Sequence, residues 1–344
     1  MNRRTVLGLL IGAACSPAGF VGPDASAQSL RAVRAGFFPN VTHSQALVGM
    51  AKGWFEQALG PQVAIEWKGF NAGPDAMEAL LAGAIDLTYI GPNPAISAYV
   101  RSQGEALRVI AGATSGGAAL VVRGDLNIQR PEDFHGKRVA SPQLGNTQDV
   151  SLRAWLRSHG LKTRDKGGDV EVIPISNPDQ MTLFLKKEID AAWVPEPWAS
   201  RLIHEASGRL FLDEREIWPA GQFVTAHLVA RTDFLRDHSE LVKKWLQAHV
   251  EATVWINAHL PQARTIVNEQ IQKRTGRALR PDVLEDAFSR LQVTYDPIRS
   301  SLLAAAQSAF EAGFLGRQKP DLSGIYDLRL LNEVLKETGR SPIA

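Results

Sequence analysis

Four times in this chain an apolar run of strand character passes through a short polar turn into an amphipathic helical pattern, and every turn carries an asparagine. The turns are Pro39-Asn40-Val41-Thr42-His43, Asn71-Ala72-Gly73-Pro74, Gly91-Pro92-Asn93-Pro94 and Gly145-Asn146-Thr147-Gln148. Strand and helix patterns in strict alternation define an α/β fold with mainly parallel sheets covered by helices. The turns matter chemically as well. A helix start exposes backbone N–H groups without intrahelical partners and carries partial positive charge. Several such starts facing one cleft bind an oxyanion without a metal or a fixed base.

The alternation runs from a strand at Ala32–Phe37 through a helix at Thr42–Leu59 to strands at Val63–Trp67, Asp86–Ile90 and Leu107–Ala111, with helices at Asp75–Leu81 and Pro94–Arg101 between them. A second unit follows, with strands at Lys137–Ala140, Val170–Pro174 and Ala191–Val194 and helices at Val150–His159, Gln180–Lys187 and Ala199–Ala206. Phe223–Ala230 reads as a strand returning to the first unit. Beyond Asp233 the spacing predicts helices only, and stripes such as Leu241, Trp245 and Val250 predict packing against the first unit.

Length and composition allow two domains: 344 residues, 44% hydrophobic and 22% charged, are ordinary for a soluble globular protein. A formal net charge of +2 without a Lys/Arg block gives nucleic-acid binding no electrostatic footprint. Residues 1–27 read as a cleaved signal peptide, with Arg3-Arg4, an apolar stretch from Val6 to Ala14 and an Ala25-Ser26-Ala27 cleavage pattern. Arg3-Arg4 also fits a twin-arginine signal, and both export routes stay open. Cys15, the single cysteine, lies inside this leader. A lipid anchor there is the weaker alternative, because Gly12 stands where a large aliphatic residue is usual.

The order and spacing of several segments make the chain resemble periplasmic substrate-binding proteins of ABC importers, in the branch that includes aliphatic sulfonate, taurine and nitrate binders. Gly36-Phe37-Phe38-Pro39-Asn40-Val41-Thr42-His43 resembles the opening strand and first ligand loop. Gly83-Ala84-Ile85-Asp86-Leu87 resembles the G-x-I-D segment before the third strand. The run from Pro131 to Ala140 resembles the entry to the second domain, and Glu188 to Ala199 the late cleft-lining segment. The resemblance spans about Leu30 to beyond Phe310. It implies a two-lobed, type II-like binding-protein fold, with ligand between the lobes and a membrane permease as partner. The first lobe is residues 28–122 plus 226–344, including C-terminal helices, and the second is residues 123–225, with crossings near Val121–Asp125 and Thr225–Ala230.

The candidate ligand-binding residues follow the turns. Asn40 and Thr42 offer side-chain donors, Thr42 doubling as a possible helix cap. His43 is either a donor or a packed residue. Asn71 and Gly73 precede one helix start, Gly73 admitting close backbone approach; Asn93 either faces the cleft or caps its helix. Ser115 and Gly116 form a possible nest. Asn146 and Thr147 represent the second lobe. Glu196 and Trp198 suit a zwitterion such as taurine, the carboxylate pairing with an ammonium group, against the alternative of a salt bridge and core packing. Thr225 sits near the second crossing.

Hydrolase, zinc-protease and thiol-nucleophile signatures are all missing, as is a dinucleotide fingerprint. The missing signatures give an enzyme no support, and the resemblance implies a monomeric binding protein with no metal and no cofactor. It is expected to deliver a small oxyanionic organic solute to an ABC transporter. Aliphatic sulfonates, including taurine, come first; nitrate, bicarbonate, sulfate esters and aromatic sulfonates or carboxylates stay open, as does a periplasmic sensory or accessory role.

Overall fold

The structure is a computed structural model describing residues 32–343. The leader and Cys15 lie outside the described residues. Among the described residues eleven strands form two sheets. The first holds β1 (Ala32–Phe37), β2 (Ala64–Gly69), β3 (Leu87–Ile90), β4 (Leu107–Gly116), β10 (Val224–Arg231) and β11 (Leu291–Val293), in the order β11-β4-β10-β3-β1-β2. The second holds β5 (Ala118–Arg123), β6 (Arg138–Ser141), β7 (Glu171–Pro174), β8 (Ala191–Pro195) and β9 (Gly208–Asp213), in the order β7-β6-β8-β5-β9. Strands β1 to β4 share one direction and β10 and β11 oppose them; in the second sheet only β5 runs against the rest. The two α/β lobes are thus present, but the sheets are mixed and not mainly parallel: four strand pairings are parallel and five antiparallel, because β10, β11 and β5 run against their neighbours.

The differences from the sequence reading have local causes. The chain leaves the first sheet at Gly116 and enters the second at Ala118, so the change falls at Gly117 and not at Val121–Asp125, which lies in and just after β5. Gly116 and Gly117 both take positive φ, which only glycine adopts without strain. The return passes through residues 214–223, and Thr225–Ala230 is already inside β10. The region after Asp233 does contain a strand, β11; three residues are too few to show a period. The predicted helix Thr42–Leu59 is split by Gly53, whose left-handed φ of 68° ends Ser44–Lys52 and starts Trp54–Leu59.

Each sheet buries apolar residues on both faces. On one face of the first sheet Phe37, Phe55 and Trp245 pack together, the Phe55 and Trp245 rings stacked 4.3 Å apart. Trp245 and Val250 are fully buried and Leu241 packs at the edge, so the predicted stripe is core. Burying a side chain of this size removes water from enough apolar surface to contribute about 2–3 kcal/mol. On the other face, helix Arg299–Ala312 places Leu302, Ala305 and Ala309 against the first lobe and against Val150 of the second. The C-terminal helices therefore lie on the first lobe, with this one also bracing the second.

Two aspartates repeat one role in the two lobes. Asp86 accepts the backbone N–H of Arg34 at 2.9 Å, and Asp190 accepts that of Arg138 at 2.8 Å, each pair 52 residues apart. Each carboxylate ties the start of a lobe's first parallel strand to the segment leading into its neighbour. In the G-x-I-D segment and its counterpart, the acid is a fold determinant.

Candidate functional site

Five helix starts converge where the lobes meet. They belong to Ser44–Lys52, Gly73–Leu81 and Pro92–Arg101 of the first lobe and Thr147–Ser158 and Asn177–Leu185 of the second. Side chains cap none of these starts except that at Thr147, where Asn146 Oδ1 accepts the Thr147 N–H at 2.9 Å. Between them lies a polar cavity of about 30 Å³, bordered by Asn40, Thr42, His43, Asn71, Asn146, Thr147 and Thr225 among others. That space holds one water-sized group or the head of a solute, not its body. Phe38, Asn40, Asn71 and Asn177 also border an outer cleft of about 750 Å³.

The donors are neutral and fixed. His43 Nδ1 accepts the Phe38 N–H at 3.2 Å, so the ring proton sits on Nε2. Burial without a carboxylate partner pushes the His43 pKa down to about 3. The ring, stacked on Phe38 at 4.7 Å, is thus an uncharged donor at the cavity wall. If it serves a ligand in that form, affinity for a fully ionised sulfonate stays level between about pH 8 and pH 5.5, because no proton is taken up there. Calorimetric titration across the range checks this; tenfold tightening at the acid end would mean a charged imidazole.

Thr147 supplies the least satisfied group. Its hydroxyl is buried and lacks a hydrogen-bond partner among the described residues. Burying a hydroxyl unpaired costs about 1–3 kcal/mol, a cost that an acceptor in the cavity removes. The turn before it is held from behind: buried Asp149 accepts from Ser141 Oγ at 2.8 Å, the Gly145 N–H at 2.9 Å and Arg153 Nε at 3.1 Å. Burial raises the Asp149 pKa, with Arg153 opposing it.

The remaining candidates are dispersed. Thr42 lies inside the short turn Val41–His43 and does not cap a helix. Gly73 stands where an added Cβ would come 3.1 Å from Asn146 Oδ1 of the other lobe. Thr225 borders the cavity while its hydroxyl donates to the Gly116 carbonyl. Asn93 is elsewhere: its amide donates to the Ala305 carbonyl at 3.2 Å beneath helix Arg299–Ala312. Ser115 is in the β4 ladder opposite Val224 and Gln292. The N–H groups of Gly116 and Gly117 donate to the Phe223 and Arg290 carbonyls, so no anion nest is open there.

Glu196 also departs from its expected role. It is fully buried, bonded to Arg290 Nη1 at 3.0 Å and to the Ser200 N–H at 3.0 Å, and it does not border either cavity. Trp193 is core, its indole donating to Glu214 at 2.7 Å. Trp198 does face the outer cleft and donates across the lobes to Asn40 Oδ1 at 3.3 Å. Among the described residues no group of His, Cys, Asp and Glu is placed to hold a metal ion.

Sequence reasoning missed Asn177, although Ser176-Asn177-Pro178 is a fifth strand-to-helix turn with an asparagine. It also missed the cations of the outer cleft, Arg201, Lys273, Arg274 and Arg277. Three of these come from the C-terminal helical region, some 230 residues from Asn40 along the chain, where no local pattern announces them.

Fold and site together describe a two-lobed binding-protein architecture with a polar pocket at the lobe junction. Residues 26–271 match the NMT1-like family, and the chain belongs to it. It is 28% identical over 207 residues to the taurine-binding periplasmic protein of Escherichia coli (strain K12), a match covering 60% of this chain and 61% of that protein. A Bacillus subtilis (strain 168) protein named for aliphatic sulfonate binding is 22% identical over 92% of both chains. In three dimensions the chain matches the alkanesulfonate-binding protein SsuA from Xanthomonas axonopodis pv. citri bound to MOPS, with a TM-score of 0.72, 21% identity and coverage of 86% of this chain and 98% of that one. The resemblance drawn from the sequence motifs and the two-lobed fold both hold.

Proposed function

We propose that this protein is an exported, extracytoplasmic receptor that closes on an oxyanion-bearing organic solute, an organosulfonate first, and hands it to the permease of an ABC importer. The observation that carries this reading is the lobe-junction cavity, where five helix starts meet around the unpartnered Thr147 hydroxyl. Neutral donors and helix-start dipoles favour a strong-acid anion that stays ionised without a counter-charge. The names of the relatives point the same way. Binding, not catalysis, is the chemistry that such a donor set performs: it offers no nucleophile activated by a base. Hinged closure of two lobes is how this architecture turns binding into a signal for a partner. Among the described residues no helix is long and apolar enough to cross a membrane, and a separate permease is the partner proposed.

Taurine itself ranks below plain sulfonates in this reading. A carboxylate is the usual counter-charge for its ammonium group, and among the described residues neither cavity is bordered by an aspartate or glutamate.

A thermal-shift screen with alkanesulfonates, taurine, nitrate and carboxylates tests the class. Sulfonates are expected to raise Tm by mass action, in proportion to affinity. Thr147→Val then isolates the orphan hydroxyl. It should leave the unliganded protein as stable or about 1 kcal/mol more stable, while weakening sulfonate binding about tenfold. No shift with any oxyanion, or unchanged affinity in the variant, would contradict the assignment.

A further inference from the structure

The outer cleft has its own chemistry. It opens from the headgroup cavity through the shared wall of Phe38, Asn40, Asn71 and Asn177, and its volume of about 750 Å³ is that of a pocket for a sizeable organic molecule. Because the inner cavity admits only a headgroup, the body of any solute bound there extends into this cleft. The walls are aromatic from both sides: Phe37, Phe38 and Phe70 on the first lobe and Trp198 on the second. Cations overlie two of these rings, Arg201 at 4.6 Å from the Trp198 centroid and Arg274 at 4.9 Å from that of Phe37.

The charge balance of the cleft is one-sided. Arg201 and Arg277 share a single carboxylate, Glu205, at 3.2 and 3.4 Å. Arg274 bonds only to the Met50 sulfur at 2.9 Å, and neither it nor Lys273 has a carboxylate within ion-pair distance among the described residues. Among the described residues no acidic one borders the cleft. A solute body in this cleft therefore meets two cations, Lys273 and Arg274, that no carboxylate among the described residues neutralises.

We infer that the preferred solute is a rigid, aromatic or similarly bulky sulfonate that carries a second anionic group at the end away from the headgroup. This specificity rests on the headgroup reading above and deepens it. The second anion supplies the counter-charge missing from the cleft, and a ligand touching Arg274 of one lobe and Trp198 of the other favours closure. An ammonium at the same place meets repulsion. The arginines border open water, so the electrostatic gain is moderated by solvent.

The test compares para-sulfobenzoate, para-toluenesulfonate and para-aminomethylbenzenesulfonate by calorimetry with the full mature chain. These share the sulfonated ring and carry an anion, a neutral methyl group and a cation at the distal end. The carboxylate should bind about tenfold tighter than the methyl compound and the ammonium about tenfold weaker. In about 1 M salt, where the screening length falls to about 3 Å, the order should flatten. Arg274→Gln, with Lys273→Gln as a second variant away from the Phe37 stack, should shrink the ratio of para-sulfobenzoate to para-toluenesulfonate affinity about threefold, whatever it does to the affinity the two share. Equal affinities across the series, or preference for the ammonium, would overturn the inference. Methanesulfonate separates the two readings: if it binds and Thr147→Val weakens it while the aromatic series shows no charge order, the headgroup site stands and the distal preference falls. If neither methanesulfonate nor any aromatic sulfonate binds, both fall.

Discussion

Gly91→Val is expected to weaken solute binding by about 5- to 150-fold, the range set by about 1–3 kcal/mol of overpacking. Gly91 precedes helix Pro92–Arg101 in ordinary extended conformation, so a side chain costs nothing in backbone strain. The obstacle is across the cleft. An added Cβ would stand 2.3 Å from Thr147 Oγ1, which belongs to the second lobe, and 3.5 Å from the Thr225 carbonyl. Thr147 is β-branched and cannot swing away freely. The strain is relieved by parting the lobes, which removes the headgroup cavity. The unliganded melting temperature should therefore change little while affinity collapses, and Thr147→Gly in the same chain should recover part of the loss. An affinity within twofold of the parent would show that these turns do not approach in the bound state.

Arg290→Met is the counterpart for stability, with an expected loss of about 3–5 kcal/mol in urea unfolding, the cost of leaving a buried carboxylate without its partner. Arg290 reaches from the first lobe to Glu196 and Ser200 Oγ of the second, each at 3.0 Å, and also holds Asp286 at 2.7 Å. The same place ties the crossing chain: the Gly117 N–H donates to the Arg290 carbonyl, and the Glu196 N–H donates to that of Gly117. Burial raises the Glu196 pKa and Arg290 opposes the rise. An acid whose folded pKa lies above its unfolded one binds more protons in the native state, so its contribution is present at low pH and is lost as pH rises through the folded pKa. Removing Arg290 moves that window upward. The variant should regain part of its stability when pH falls from about 8 to about 5, and adding Glu196→Gln should restore part of it at pH 8. A pH-independent deficit would assign the loss to packing alone.

Residues alike in their sequence setting part company in space. Asn40, Thr42, His43, Asn71, Asn146, Thr147 and Thr225 border one cavity, while Asn93, Ser115, Gly116 and Glu196 do not. The strand-to-helix turns at Asn40, Asn71 and Asn146 were legible because a turn between an apolar strand and an amphipathic helix constrains its own residues. Asn93 sits in an equivalent turn, yet it is the second residue of its helix, and rotation about the axis carries its amide to Ala305. Glu196 follows β8 within a segment that looked cleft-lining, but Arg290, 94 residues further on, claims its carboxylate.

By itself the sequence determined the alternation of strands and helices and the asparagine turns at helix starts, because periodicity and turn chemistry act over neighbouring residues; the two lobes came from the resemblance that its motifs carry. Only the tertiary structure decided which turns share a cavity, where the chain changes sheets, and that Arg201, Lys273 and Arg274 stand together beside Trp198. Those relations join residues far apart in the chain. They are fixed by how the lobes and the C-terminal helices pack, and packing leaves no local trace in the order of the residues.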